Sequence, residues 1–436
     1  MSINMKNVAL FAVIFGLIAA VGIWQSWSVA FAILNLGLIS ALMSLGVNMQ
    51  WGYAGLFNVG TMGFVALGGL ATVLVAMPPV KEAWAAGGGR MMGALAVGAL
   101  TILAARLVWQ RMAPGRRRGL ALAAVLILGF IAYRWLYVPA ANAIESIDPA
   151  STGYLGGLDL EVLIAWPVGG LLAAGAAWIV AKTALGLRSD YLAIATLGIA
   201  EIIVAVMKNE EWLDRGVKNV IGIPRPFMVP YEVEIQQQPW FLDMASGLGT
   251  DPVSLSSIWV KLLYAALFTV VLLVILWMAE MALKSPWGRM MRAIRDNEVA
   301  AEAMGKDVTA RHLQIFVLGS AVIGIAGAML TTLDGQLTPG TYNPLRFTFL
   351  IWVMVIVGGS GNNWGAILGG FLIWFLWVEV EALGPMLMEF FTFWLPDGNP
   401  VREHLMKSAA HMRLLTMGVI LLLVLRFSPR GLIPEK

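Results

Sequence analysis

The first side chain with a possible chemical role is a single carboxylate in an apolar stretch. Glu201 lies about midway along residues 190–208, and a charge at that depth of a membrane span is costly unless it faces water or a polar partner. The pattern leaves four interpretations open: a wall of a solute pathway, a pair with a polar group near Thr196, a buried structural anchor, or a position closer to the membrane interface. Asn58, Thr61 and Thr196 are further polar groups in apolar surroundings. They could contact a small polar solute or bond between helices.

A second set of charged side chains lies in the polar segment 284–311. Ser285 is a good N-cap residue, Pro286 suits a first helical position and Gly305 suits a helix end, so the segment predicts a short amphipathic helix. We expect its apolar positions to be available to a partner, although a helix held by lipid headgroups would have the same pattern. The charged positions are Arg292, Arg295, Glu298 and Glu302, and the apolar ones are Met291, Ile294 and Ala301.

Several kinds of chemistry are excluded by residue type. The chain has no cysteine, and its three histidines form no metal-ligand pair at helical spacing. No Gly-x-x-x-x-Gly-Lys-Ser/Thr motif is present, since Gly305-Lys306 is followed by Asp307. No nucleic-acid-binding patch is evident. We therefore expect a chain that is not an enzyme, with no catalytic residue, no metal and no cofactor of its own.

The composition predicts that the polar side chains described above are held by transmembrane helices. Hydrophobic residues make up 59% and charged residues 13%, against about 25% charged in soluble domains, and mean hydropathy is +0.79. A span needs about 20 apolar residues. We predict an all-α, polytopic transmembrane bundle of about 10–12 spans, forming a single domain over 1–436. Candidate spans lie at about 8–24, 29–49, 54–77, 91–109, 119–138, 162–181, 190–208, 258–279, 312–333, 346–358, 364–383 and 412–427.

The basic residues of the short loops predict the orientation, because cytoplasmic loops are enriched in Lys and Arg. A cytoplasmic N-terminus and C-terminus place every strong basic cluster on one side. The loop 209–257 is then periplasmic, 284–311 is cytoplasmic, and 80–140 is an extra pair of spans. The clusters are Arg111 with Arg116–Arg118, Lys182 with Arg188, the segment from Lys284 to Arg311, and Arg430 with Lys436.

Glycines predict two places where helices are interrupted. Gly52–Gly55 with Asn58–Gly63, and Gly358–Gly361, break helical continuity, and broken helices expose backbone groups that can bind a solute. Both contain Gly-x-x-Gly followed by Asn, which hints at an internal repeat. Small residues at four-residue spacing, as in Ser320-x-x-x-Gly324-x-x-x-Ala328 and Gly365-x-x-x-Gly369, predict close helix packing.

Several of these stretches together resemble a known family. Glu298-Val-Ala-Ala-Glu302-Ala-Met-Gly305 resembles the cytoplasmic coupling loop of ABC importer permeases. The longer stretch 288–305 is similar to the high-affinity branched-chain amino acid permeases, and urea permeases share nearly all these motifs. The resemblance covers most of 30–77, 180–225 and 284–436, and does not obviously cover 80–140. The other matching stretches are 34–60, 191–202, 357–369 and 429–432.

This resemblance implies a function and a set of partners. The chain would be an importer permease in the bacterial inner membrane, forming a pathway with a second permease and served by two cytoplasmic ABC ATPases and a periplasmic substrate-binding protein. Branched-chain or other small amino acids are the expected substrates, and urea or short amides the alternative. An ion-coupled carrier and a non-transporting scaffold are the rival classes. The implied ATPase-coupling residues are Arg292, Arg295, Glu298, Glu302, Ala303 and Gly305, and the pathway residues Asn58, Thr61, Thr196 and Glu201.

Overall fold

The computed structural model describes residues 5–187, 189–396, 399–408 and 411–435. Arg188 and Lys436, which belong to two of the basic clusters, lie outside these ranges. The described chain is almost entirely helical, with one small antiparallel pairing, β1 (Val220–Ile221) with β2 (Gln336–Leu337). The α-helices are α1 Met5–Trp24, α2 Trp27–Val47, α3 Thr61–Ala76, α4 Lys81–Ala83, α5 Gly89–Arg111, α6 Arg116–Glu145, α7 Val162–Ala184, α8 Ser189–Asn209, α9 Glu211–Asp214, α10 Glu232–Ile235, α11 Pro239–Leu248, α12 Pro252–Lys284, α13 Pro286–Asp296, α14 Glu298–Ala303, α15 Val308–Asp334, α16 Leu350–Gly358, α17 Asn363–Thr392, α18 Pro400–Ser408 and α19 Met412–Phe427.

Among the described residues, nine helices are long and apolar enough to cross a membrane, and ten if the bent pair α18 and α19 counts as one span. The chain is thus a polytopic helical membrane protein, and its nine or ten spans lie at or just below the lower end of the predicted range. Two predicted spans are short apolar helices instead, Thr61–Ala76 and Leu345–Gly358. The predicted span 54–77 is too long, because residues 55–60 are not helical.

Close backbone approach holds the centre of the bundle together. Helix α15 packs along α3 and α7, and a Cβ placed on Gly68 would overlap the carbonyl oxygen of Gly324. Gly324 in turn lies against Gly169 on α7. The packing role predicted for the Ser320–Gly324–Ala328 face is therefore confirmed. Gly369 has the same role where α17 meets α16, since its Cβ would overlap the carbonyl oxygen of Met354.

The two ends of the bundle differ in structure. We call the end that carries α13 and α14 the inner end, and the end that carries residues 210–251 the outer end. At the outer end, β1 pairs with β2, so the long outer segment is joined to the turn that follows α15. Arg215 reinforces this cover by donating to the carbonyl oxygens of Ala150 (2.6 Å) and Asn219 (3.0 Å).

Helices α5 and α6 form a hairpin that packs mainly on itself. Its outer end joins the bundle through a small apolar cluster that includes Met91, Ile144 and Trp212. Most of its remaining apolar surface is exposed, as expected of helices that face lipid. The loop with Arg116–Arg118 is at the opposite, inner end of the hairpin.

Candidate functional site

The polar segment at the inner end forms two short helices where the sequence predicted one. Pro286 begins α13, and Gly305, with φ +74°, ends the segment. The division is at Asn297, whose extended backbone ends α13 and whose Oδ1 accepts the amide of Ala300 (2.9 Å) to cap α14. Because the Asn297 side chain caps α14, it favours the start of a new helix over the continuation of α13.

The apolar face of this segment turns toward the bundle, so the prediction that it is available to a partner is wrong. Met291 and Ile294 are buried, and Ala301 packs with Ile294 and Val308. The apolar side chains that remain exposed are Val299 (76%) and Met304 (79%). They lie on and just beyond α14, next to four predicted coupling residues that are all exposed, namely Glu298, Glu302, Ala303 and Gly305.

Arg292 and Arg295, the other two predicted coupling residues, are only partly exposed. They line an open groove of ≈ 790 Å³ between α13, the turn after α16 and the C-terminal tail. Asp296 and Glu435 contribute carboxylates to the same groove. The structure therefore divides the predicted set between an exposed tip and an arginine-lined groove behind it. The four arginines of the groove are Arg289, Arg292, Arg295 and Arg430.

Asn58, Thr61 and Thr196 meet at one buried junction after the first glycine break. Asn58 donates to Gln50 Oε1 (2.8 Å), and Thr61 donates to the carbonyl oxygen of Phe347 (2.5 Å). Thr196 Oγ1 accepts the amide of Val59 (3.1 Å). All three side chains are buried, and they bond between segments of the chain.

Glu201 is not part of this junction. It lies on an exposed face of α8 with Gly198 and Ala205, whereas Thr196 is buried. Among the described residues Glu201 has no hydrogen bond or ion pair. The interpretations of Glu201 as a partner of a group near Thr196 and as a buried anchor are therefore wrong. The exposed position is compatible with both remaining interpretations, a wall of a solute pathway and a position near the membrane interface.

The sequence shows Asn48 as a polar side chain in an early apolar span, but it does not show the network by which Asn48 joins the two glycine breaks. Asn48 Oδ1 accepts the amide of Gly361 (2.9 Å), and Asn48 Nδ2 donates to Asn363 Oδ1 (3.1 Å). Asn363 Nδ2 donates to Glu280 Oε1 (3.0 Å) on α12. These residues are far apart in the chain, and the only local signal is a polar side chain in an apolar segment.

Both breaks have the same local backbone feature. The second glycine of each Gly-x-x-Gly, Gly55 (φ +71°) and Gly361 (φ +78°), adopts a left-handed conformation that other residues rarely take. The following asparagines, Asn58 and Asn362, then accept backbone amides of the next segment. Each motif thus combines a left-handed glycine with an asparagine that accepts the amide two residues further on.

Comparison with known proteins identifies relatives. Residues 115–425 match the family model described as branched-chain amino acid transport system / permease component. The chain is 26% identical to the high-affinity branched-chain amino acid transport system permease protein LivM of Escherichia coli, over 62% of this chain and 56% of that protein. It therefore spans little more than half the length of that relative. No solved structure matches the chain.

Two archaeal proteins extend the comparison. The probable branched-chain amino acid transport permease protein LivM of Methanocaldococcus jannaschii is 25% identical over 91% of this chain and 90% of its own length. The family-model match begins at residue 115 and therefore includes the second part of 80–140. The probable LivH permease of the same organism is 32% identical over 26% of this chain and 34% of its own length.

Proposed function

This chain belongs to the family of branched-chain amino acid transport permease components, and we propose that it is the membrane-spanning subunit of an ATP-driven importer of branched-chain or other small amino acids. Separate cytoplasmic ATPases would supply the energy, so the chain itself would bind no nucleotide and no cofactor. The observation that carries the proposal is the exposed tip formed by α14.

The tip has the properties of a docking surface. Two large apolar side chains, Val299 and Met304, are exposed beside the carboxylates of Glu298 and Glu302. An apolar contact rimmed by charges is typical of a protein interface. We propose that Glu298, Glu302, Ala303 and Gly305 contact an ATPase subunit, which agrees with the resemblance of this loop to importer coupling loops.

The exposed carboxylate on α8 supports a pathway at the surface of this subunit. Glu201 lies within a helix long and apolar enough to span a membrane, and a carboxylate facing lipid would be costly. We propose that its face, with the small Gly198 and Ala205, borders a water-filled route closed on the other side by a second, related permease. There Glu201 would attract the ammonium group of an amino acid. Asn58, Thr61 and Thr196 would support the route by holding the broken helix in place.

The remaining partners follow from the same arrangement. The outer segment 210–251 would receive a periplasmic substrate-binding protein, and the inner end would face the cytoplasm with both chain termini. The importer would then lie in a bacterial inner membrane, surrounded by lipid, with two ATPases below the paired permeases.

The substitution Glu302→Lys tests the docking role. It reverses the charge of an exposed side chain at the tip, so we expect substrate-stimulated ATP hydrolysis and uptake of radiolabelled leucine by the reconstituted complex to fall at least about tenfold, the effect of losing about 1.4 kcal/mol of coupling. Arg116→Glu is the matched control, because it is also a charge reversal at the inner end but lies on the α5–α6 hairpin.

Normal coupled transport by Glu302→Lys would argue strongly against docking through α14. Uptake by the purified chain alone, driven by an ion gradient, would overturn the whole proposal in favour of a secondary carrier. Uptake of radiolabelled urea without uptake of leucine would support an ATP-driven importer but would contradict amino acids as its substrates.

A further inference from the structure

Arg295 points into the protein, although it belongs to the loop that resembles a coupling loop. Its side chain is 24% exposed. One guanidinium nitrogen, Nη1, donates to the carbonyl oxygen of Gly52 (2.5 Å) and to Glu435 Oε2 (2.9 Å). Nε and Nη2 donate to Asp296 Oδ1 (3.1 and 3.0 Å). Bonds of this charge-assisted kind are stronger than neutral ones, so α13 is tied to the first glycine break.

The second glycine break meets the first at this point. The amide of Gly361 donates to Asn48 Oδ1, one turn before Gly52. A Cβ on Gly52 would come within 2.5 Å of the Gly361 nitrogen, and a Cβ on Gly361 within 2.7 Å of Glu435 Oε2. The two breaks and Glu435 are thus in close contact at these glycines. A displacement of Arg295 would break its bond to Gly52 and would disturb the second break through Glu435.

The C-terminal tail holds the other side of the contact. The amides of Leu432 and Ile433 donate to the carbonyl oxygens of Val357 and Gly358 (2.9 Å each). Asn362 Nδ2 donates to the carbonyl oxygen of Pro434 (3.1 Å). The tail is therefore fixed to the second break, and Glu435 extends from it to Arg295.

We propose that Arg295 is a positioning residue that transmits movement of α13 to both glycine breaks, with Glu435 as the tail's link to the same guanidinium. This inference rests on the proposed function only in taking an ATPase as the cause of the movement of α13. It also changes the predicted role of Arg295: the residue acts toward the interior of the permease, and the contact with the ATPase is left to α14.

The first test uses the purified chain alone in lipid nanodiscs. Hydrogen exchange is measured at the backbone amides of residues 52–60 and 359–362 in the parent, Arg295→Ala and Arg289→Ala. Arg289 is the matched control, because it lies on the same helix and lines the same groove, but its guanidinium donates to the local carbonyl oxygen of Lys284 (3.3 Å).

We expect Arg295→Ala to raise exchange about tenfold at both breaks, and Arg289→Ala to leave both unchanged. Arg295→Lys should restore part of the protection, since an ammonium can still donate to one acceptor. Unchanged exchange at the breaks in Arg295→Ala, or an equal rise in both alanine variants, would overturn the proposal. If Arg295→Ala does not fold, Glu435→Gln replaces it, with the rise expected at 359–362.

The second test uses the assembled transporter. Arg295→Ala should keep ATP hydrolysis within about twofold of the parent and lower leucine uptake per ATP about tenfold, whereas Glu302→Lys should lower both. Equal losses of hydrolysis and uptake in Arg295→Ala would make it a docking residue and contradict the proposal. Failure of the chain to assemble with any ATPase would defeat the proposed function but would not alter the exchange result.

Discussion

Asp214 is a completely buried carboxyl group in the outer segment. Its Oδ1 accepts the amide of Gly216 (3.1 Å), and its Oδ2 has no hydrogen-bond partner among the described residues. Burial raises the pKa of Asp214 to about 7, although the bond from Gly216 acts in the opposite direction. The unfolded chain releases this proton near pH 4. Between about pH 4 and 7 the folded state therefore holds more protons, and the free energy of unfolding falls as pH rises through this window.

Asp214→Asn removes this contribution, because the amide is uncharged at every pH. We expect the variant to match the parent near pH 4 and to be more stable by a few kcal/mol at pH 8. Thermal unfolding in detergent at both pH values measures the difference. Asp243→Asn, at an exposed position of α11, is the control. An Asp214→Asn variant that differs from the parent equally at pH 4 and pH 8 would contradict the explanation.

At the scale of helices, only some glycines allow two helices to approach closely. Gly68 is in van der Waals contact with backbone of α15, whereas Gly175 on α7 has nothing within 4 Å of an added Cβ. We expect Gly68→Ala to separate α3 from α15 and lower the melting temperature sharply. Gly175→Ala should be neutral or stabilising by about 0.5–1 kcal/mol, because alanine favours a helix over glycine. Similar melting temperatures for the two variants would show that the α3–α15 contact contributes little.

Hydropathy predicted the helices well and their interruptions poorly. The predicted span 162–181 corresponds to Val162–Ala184, and 190–208 to Ser189–Asn209. The predicted span 54–77 fails over its first residues because hydropathy measures apolar content and not backbone conformation. The glycines indicated that a break was allowed, but where its amides and carbonyls bond depends on segments elsewhere in the chain.

The candidate site shows the same limit for side chains. Periodicity identified Met291 and Ile294 as one apolar face, yet it could not tell that the bundle itself covers that face. Glu435 could not be found at all, because its contact with Arg295 joins residues 140 positions apart. Glu201 is recognisable in the sequence as a carboxylate within an apolar stretch, while its exposed position depends on how α8 packs.

At the scale of the whole molecule, the orientation in the membrane can be tested directly, because the chain has no native cysteine. Single cysteines at Ser246, in the outer segment, and at Met304, on the tip, are both exposed. We expect a membrane-impermeant maleimide to label Ser246→Cys in intact spheroplasts and Met304→Cys only after lysis. The reverse pattern would invert the topology, and labelling of both before lysis would contradict a single orientation.

Helix α15 has 27 residues without a break, a length of roughly 40 Å. It begins at Val308, which packs on the inner helices, and a single residue separates its end from β2, which pairs with the outer segment. Helix α15 thus connects the inner end and the outer end without interruption. If the affinities of two ligands both depend on the position of α15, binding of either ligand changes the affinity for the other by the same factor. Under the proposed function, a binder that clamps β1 to β2 from outside is therefore expected to inhibit ATP turnover by ATPases docked at the inner end, without entering the membrane.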